Sequence, residues 1–378
     1  MRVLCFVAAV LMLVSCGGGS SGAPGPTASS PGTAPGRTTT TATAPPPTTT
    51  QPAQPALTGW TTHRLVAQLL MVGAQYISPA ASAAVVRDGA GGLVFFGEPS
   101  AGSGPGLTAA LTSLRRQAAV RPWFASDEEG GGIQRLAALT GALPWPREMR
   151  EQWSPLRMAT HVAPVASEMR ALGVNMDLAP VVDTASADDP VDEEARRSFD
   201  EHGTVAANYG LAFLRALEHH RVVGVAKHFP GLGHADGNTD DGPASVPPVA
   251  ALERNDLVPF QAAIAAGVPV VMMSNATEPD WGSRPASLNP AAYAYLRALG
   301  FDGVILTDAL EAGAVQASGV DGPQAAVQAI EAGADMAMIT NPSDYDAAVA
   351  GLEAAVESGQ LPRARVVRSV QRILAAKS

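Results

Sequence analysis

The residues best suited to chemistry fall at the ends of short apolar runs. Lys227 and His228 close the run that begins at Val222, and Phe229-Pro230-Gly231 forces a turn directly after them. The chain has 25 Lys plus Arg but only two lysines, Lys227 and Lys377. A lysine kept at a strand end where nearly every other cation is Arg points to a need for its compact ammonium. Asp127-Glu128-Glu129, Asp177, Asp183, Ser274-Asn275 and Thr307-Asp308 occupy equivalent places after other apolar runs. Any one of them could be a helix N-cap. Five such endings together describe one polar rim, with carboxylates for nucleophilic or acid/base work and cations to orient a polar substrate.

Eight runs carry that rim: Gln68–Gly73, Gly91–Gly97, Trp123–Asp127, Asn175–Asp183, Val222–His228, Pro269–Asn275, Gly303–Asp308 and Met336–Thr340. Between them lie Ala-rich segments of helical spacing, such as Val205–His219, Pro290–Leu299 and Pro323–Ala332. Strands alternating with helices predict βαβ units and a parallel sheet. Eight units predict an α/β fold, a single closed (β/α)8 barrel of the TIM type, whose active site sits at the C-terminal ends of the strands. An open doubly wound sheet is the rival, weakened because no Gly-x-Gly-x-x-Gly follows the first strand. Gly130-Gly131-Gly132 reads as a flexible loop after the third strand rather than a phosphate cradle.

Residues 1–16 read as a signal peptide: Arg2, an apolar run from Val3 to Ser15 too short for a stable span, and Cys16. Leu13-Val14-Ser15-Cys16 resembles a bacterial lipobox, which implies lipidation at Cys16 and anchoring to the outer face of the cytoplasmic membrane. Cys5 lies inside the segment removed, so the mature chain needs no disulfide. Residues 17–57 are a Pro-, Thr-, Gly- and Ser-rich linker whose only charge is Arg37. Residues 58–378 form the folded domain. A net charge of −10 without a basic block argues against nucleic acid, and against electrostatic attachment to anionic lipid.

Lys227-His228-Phe229-Pro230-Gly231-Leu232-Gly233 resembles the Lys-His-Phe-Pro-Gly-His-Gly signature of bacterial family 3 glycoside hydrolases, in the β-N-acetylglucosaminidase branch. Further segments match in order: Gln68–Gly73, Asp127-Glu128-Glu129-Gly130-Gly131 with Gln134-Arg135, Asn175–Val181, Arg197-Ser198-Phe199 and Ile305–Leu310. The resemblance runs from about residue 64 to 340. It implies that Asp308 is the nucleophile, forming a covalent glycosyl-enzyme. It also implies that Asp127, Arg135, Arg197, Lys227 and His228 hold the sugar.

The pattern breaks at the acid/base. The family places a His on a mobile loop, oriented by an Asp two residues earlier; here those positions hold Asn238, Thr239 and Asp240. Asp240 could act as a carboxylic acid/base if burial or Asp241 raises its pKa. His234 or Asp236 on the same loop could take the role, or the loop could lack an effective acid. Only 70 residues follow Asp308, enough for strand eight and its helix, so a barrel loop is expected to supply the acid. The resulting expectation is a monomeric, retaining exo-β-N-acetylglucosaminidase acting on muropeptides, with no cofactor or metal. Its rivals are a phosphorylase of the same family and a non-catalytic muropeptide-binding lipoprotein.

Overall fold

The structure is a computed structural model, and it describes residues 57–378 apart from 189–191, with backbone alone for 192–194. The expected signal peptide, Cys16 and nearly all of the linker lie outside the described residues. Among the described residues, no helix is long and apolar enough to cross a membrane.

Eight parallel strands close into a barrel: β1 (Leu70–Gln75), β2 (Gly92–Phe96), β3 (Trp123–Ser126), β4 (Met176–Asp177), β5 (Val223–Phe229), β6 (Val270–Met273), β7 (Val304–Ala309) and β8 (Met336–Ile339). Each strand neighbours the next in sequence, and β8 returns to β1 with Leu70 opposite Ala337 and Val72 opposite Ile339. The expected (β/α)8 barrel is the fold observed. β2, β3, β6, β7 and β8 are buried almost throughout, because each is covered by the barrel interior on one side and helices on the other. That double burial is why they read as continuous apolar runs rather than alternating ones.

The fourth strand is shorter than the run Asn175–Asp183 suggests. Regular pairing stops at Asp177, and Pro180, which has no N–H, interrupts the ladder. The chain stays alongside β5 all the same: Val225 N–H donates to Ala179 O at 2.9 Å, and Val182 N–H donates to Lys227 O at 2.8 Å. This detour delivers Asp183 to the rim.

The helices start where side chains cap them. Ser154 Oγ accepts from Arg157 N–H, Asn289 Oδ1 from Ala291 N–H and Asp321 Oδ1 from Gln324 N–H, each with Pro at the first or second helical position. The final helix, Arg363–Ala376, buries Val366, Ser369, Val370 and Ile373 along one stripe. Its position is fixed by Asp335, just before β8. This fully buried carboxylate meets Arg297 at 2.5 Å, Arg372 at 3.3 Å and Arg365 at 3.4 Å, and accepts from Ser369 Oγ at 2.6 Å and Ile305 N–H at 3.0 Å. Asp335→Ala would leave three arginines without their shared anion. It is expected to cost about 3–5 kcal/mol in urea unfolding, with little change in catalytic constants of the folded fraction.

Candidate active site

β3 and β5 bring the central array together. Lys227, two residues from the end of β5, sends its Nζ to Asp127 Oδ1 at 2.9 Å and to Glu129 Oε1 at 2.7 Å. Arg197, at the end of the short helix Asp192–Arg197, forks onto Glu129: Nε to Oε2 at 2.9 Å and Nη2 to Oε1 at 3.0 Å. Glu129 is therefore a buried carboxylate held by two cations. Burial opposes its charge, but Arg197 and Lys227 together outweigh that and bring its pKa down to about 2. Burial likewise works against the Lys227 ammonium, and Asp127 and Glu129 override it, holding the proton more tightly than usual.

His228 is organised from behind. Its Nδ1 lies 2.7 Å from Asp183 Oδ2, and Asp183 also accepts from the His228 and Leu232 backbone N–H groups at 3.0 and 2.7 Å. Burial disfavours the imidazolium, yet Asp183, with a smaller contribution from Asp308, raises the His228 pKa. Nδ1 is thereby committed to Asp183 and Nε2 faces the site, 3.5 Å from Arg197 Nη2.

Asp308 sits one residue before the end of β7, half-buried, and accepts from Ala309 N–H at 2.7 Å. Asn275, just beyond β6, donates from Nδ2 to Ala309 O at 2.7 Å and so pins the backbone next to Asp308. Arg135 follows the hairpin formed by Glu128–Gly130 and Ile133–Gln134. Its backbone N–H donates to Asp127 O at 3.0 Å, and its enclosed Nε meets no acceptor among the described residues. The expected flexible glycine loop is instead the turn of this hairpin. It packs under Trp145, whose ring would lie 2.1 Å from a Cβ placed on Gly131, a residue also held at φ +57°.

Two neighbours of identical type behave oppositely. Glu129 faces cations, whereas Glu128 points into the barrel beside Asp177. Burial first, and the adjacent Asp177 second, push the Glu128 carboxyl well above the usual range. Asp177 is raised as well, chiefly by burial. Ser126 Oγ and Leu136 N–H donate to Glu128 Oε1 at 2.6 and 3.0 Å. Gln would keep that acceptor and place an amide where the other carboxyl oxygen is. Because burial raises the Glu128 carboxyl in the folded chain above its unfolded value of 4.5, this group's contribution falls as pH rises above that value. Glu128→Gln is thus expected to gain stability relative to the wild type as pH rises from 4 toward 8, read as a widening difference in denaturant midpoints.

The loop after β5 carries the candidate acids. Asp236 accepts from Ser245 N–H at 2.6 Å, which closes the loop on itself. His234 Nδ1 lies 2.7 Å from Asp256 Oδ1, a carboxylate that also accepts from Thr184 Oγ1 at 2.9 Å. Asn238 Oδ1 accepts from Asp240 N–H at 2.9 Å, so the Asn makes a turn. Asp240 is exposed, so of the two routes to a raised pKa, burial and Asp241, burial is not the one supplied here. Its backbone O accepts from Gly313 N–H at 3.0 Å, tying the loop to the segment that follows β7. A Cβ on Gly313 would stand 2.7 Å from that same oxygen, so the close approach requires glycine.

The structure thus gathers Asp127, Arg197, Lys227 and His228 with Asp308 on one rim, puts Arg135 beside Asp127, and leaves Asp240 on the overhanging loop. Three functional residues carried no assigned role in the sequence reading: Glu129, Asp183 and Asn275. The first two were visible only as members of strand-end acid clusters.

The model of the glycosyl hydrolase family 3 N terminal domain matches residues 61–376. The chain belongs to glycosyl hydrolase family 3. Family 3 relatives include beta-hexosaminidase LpqI of Mycobacterium tuberculosis, 33% identical over 325 residues that cover 82% of this chain and 81% of that protein. A beta-hexosaminidase of Xylella fastidiosa is 34% identical over 256 residues, covering 64% and 75%. Among solved family 3 structures, a glycosyl hydrolase from Mycobacterium smegmatis superposes with a TM-score of 0.78 at 33% identity, covering 85% of this chain and 98% of that one. As a family 3 member with this rim, the protein is a glycoside hydrolase.

Proposed function

We propose that the protein is a retaining exo-β-N-acetylglucosaminidase that removes terminal GlcNAc from muropeptides. The observation that carries the reading is the single hydrogen-bonded array Asp127–Lys227–Glu129–Arg197, flanked by His228–Asp183, on the rim that also holds Asp308. Such an array presents fixed charges and donors to the hydroxyls of one sugar. Arg135 Nε supplies a further donor. Two relatives above are named beta-hexosaminidases, and a Paenibacillus structure with a TM-score of 0.76 and 30% identity, covering 84% of this chain and 62% of that one, is a family 3 beta-N-acetylglucosaminidase.

In the first step the Asp308 carboxylate attacks the anomeric carbon while Asp240 gives its proton to the departing glycosidic oxygen, leaving an ester between Asp308 and the sugar. In the second, Asp240 takes a proton from water as the water oxygen displaces Asp308, and configuration is retained. The exposure of Asp240 suits a loop that covers the sugar, since the bound substrate itself would desolvate the carboxyl. A carboxylate acid/base repels a phosphate dianion, so water is the acceptor.

The test compares hydrolysis of 4-nitrophenyl β-GlcNAc and 4-nitrophenyl β-glucose, with Asp240→Ala beside the wild type. The expected result is preference for GlcNAc and a kcat/KM lowered by about 10²–10⁴-fold in Asp240→Ala on substrates with poor leaving groups. Azide should restore activity as the β-glycosyl azide. Wild-type rates in Asp240→Ala would move the role elsewhere on the loop, and turnover of neither glycoside would favour the binding-lipoprotein reading. Anchoring through Cys16 belongs to the same proposal, and loss of metabolic palmitate labelling in Cys16→Ala is its expected signature.

A further inference from the structure

The opposite mouth of the barrel holds a cavity. It measures about 670 Å³ and is bordered by Trp123 and Val223 at the first residues of β3 and β5 and by Pro269 just before β6. It lies at the far end of these strands from Asp308, and its volume is in the range of small-molecule pockets. Arg121, Arg170, Arg215 and Arg221 line it, with Glu218 as the acidic side chain among the lining residues. None of the four arginines has a side-chain hydrogen bond or ion pair with a described residue. This contrasts with Arg150, Arg197, Arg297, Arg365 and Arg372, which are all paired with carboxylates. Arg121, Arg215 and Arg221 are exposed and Arg170 is half-buried, so in a chain of net charge −10 the cavity rim carries a local concentration of solvent-facing positive charge.

Three further features characterise the cavity. Trp123 is 1% exposed, and its Nε1 donor has no acceptor among the described residues. Arg221, the one non-glycine residue with positive φ among those described (+58°), takes the left-handed position that ends helix Gly203–His219, where its N–H donates to Glu218 O and Val222 N–H to Leu217 O, and so it projects from that helix end at the cavity rim. Glycine would suit that position but would remove the cation. Arg170 is crowded: burial first, then Arg121 and Arg221, lower its pKa, so the guanidinium groups lie within electrostatic reach of one another. Leu211, Leu214 and Val268 supply apolar wall, and Asn175, Lys377 and Ser378 also line the cavity.

We propose that this cavity binds a phosphate monoester with an apolar or ring-shaped body. The dianion would lie among Arg121, Arg170 and Arg221, and the body would lie against Leu214, Val268 and the indole edge of Trp123. Planar guanidinium forks match phosphate geometry, and a dianion neutralises converging cations better than a single carboxylate would. The same chemistry occurs in soluble phosphate esters and in lipid headgroups.

The test titrates the folded domain with phenyl phosphate, phenol and inorganic phosphate by calorimetry, and adds cosedimentation with vesicles containing phosphatidate. Saturable binding of phenyl phosphate is expected, tighter than inorganic phosphate, with none for phenol. Arg170→Gln and Arg221→Gly should each weaken it by about tenfold or more. Arg221→Gly also relieves the backbone, so its fold is safe, and unchanged glycoside hydrolysis in both variants certifies that the catalytic face is intact. Vesicle binding lost in both variants assigns the site to a lipid headgroup, and phenyl phosphate binding alone to a soluble ester. No saturable binding, or binding indifferent to both substitutions, overturns the proposal without touching the hydrolase reading.

Discussion

Asp308→Ala is expected to lower kcat/KM for an aryl β-N-acetylglucosaminide by roughly 10⁴-fold or more, with little loss of stability. The physical reasons for the two halves of that result are different. Activity falls because the neighbouring rim carboxylates are already paired. Asp127 and Glu129 are both committed to Lys227, and Asp183 is committed to His228. Stability holds because, among the described residues, the Asp308 side chain accepts only from its neighbouring amide, Ala309 N–H, on a half-buried segment. No buried cation depends on it for pairing. Steady-state kinetics beside denaturant unfolding checks both halves. A variant that loses activity and several kcal/mol together would recast Asp308 as a structural residue.

Glu129→Ala is expected to do the reverse, costing about 3–5 kcal/mol of stability as well as substrate affinity. Removing this carboxylate leaves Lys227 and Arg197 facing one another with Asp127 as the remaining anion bonded to Lys227. Lys227 is 3% exposed and cannot turn to water. The pH dependence carries a definite sign. Glu129 ionises near 4.5 in the unfolded chain and near 2 in the folded one, so its contribution is complete above the first value and lost as pH falls through the second. The difference between wild type and Glu129→Ala in urea midpoints should therefore be largest at neutral pH and shrink in acid. An acid-independent difference would mean that packing, not charge, is what Glu129 contributes.

The barrel was legible because its strands are buried on both faces, which writes them as apolar runs closed by Gly, Pro or Asp. The rim was legible for the same reason, since a polar residue at the end of such a run stands out. The fourth strand was overread because its apolar run continues past Pro180, where the residues stay buried but the ladder loses a donor. The pairing of Glu129 with Arg197 spans 68 residues, and that of His228 with Asp183 spans 45, so no local pattern announces either. Glu128 and Glu129 are indistinguishable as letters. Their opposite pKa shifts arise from their surroundings, since Glu128 lies beside Asp177 and Glu129 is held by Lys227 and Arg197. The role of Asn238 was similarly hidden. As a letter it is a carboxylate lost from an acid/base pair, while in the fold it forms the turn that presents Asp240.

The central claim is that Asp308 forms a covalent bond to a GlcNAc residue. Incubation with a 5-fluoro-GlcNAc donor bearing a good leaving group, followed by intact-mass and peptide mass spectrometry, tests it most directly. The account predicts one added fluoro-sugar per chain on the peptide containing Asp308, and no adduct in Asp308→Ala. A stable adduct on any other carboxylate, or turnover with inversion at the anomeric carbon, would contradict it.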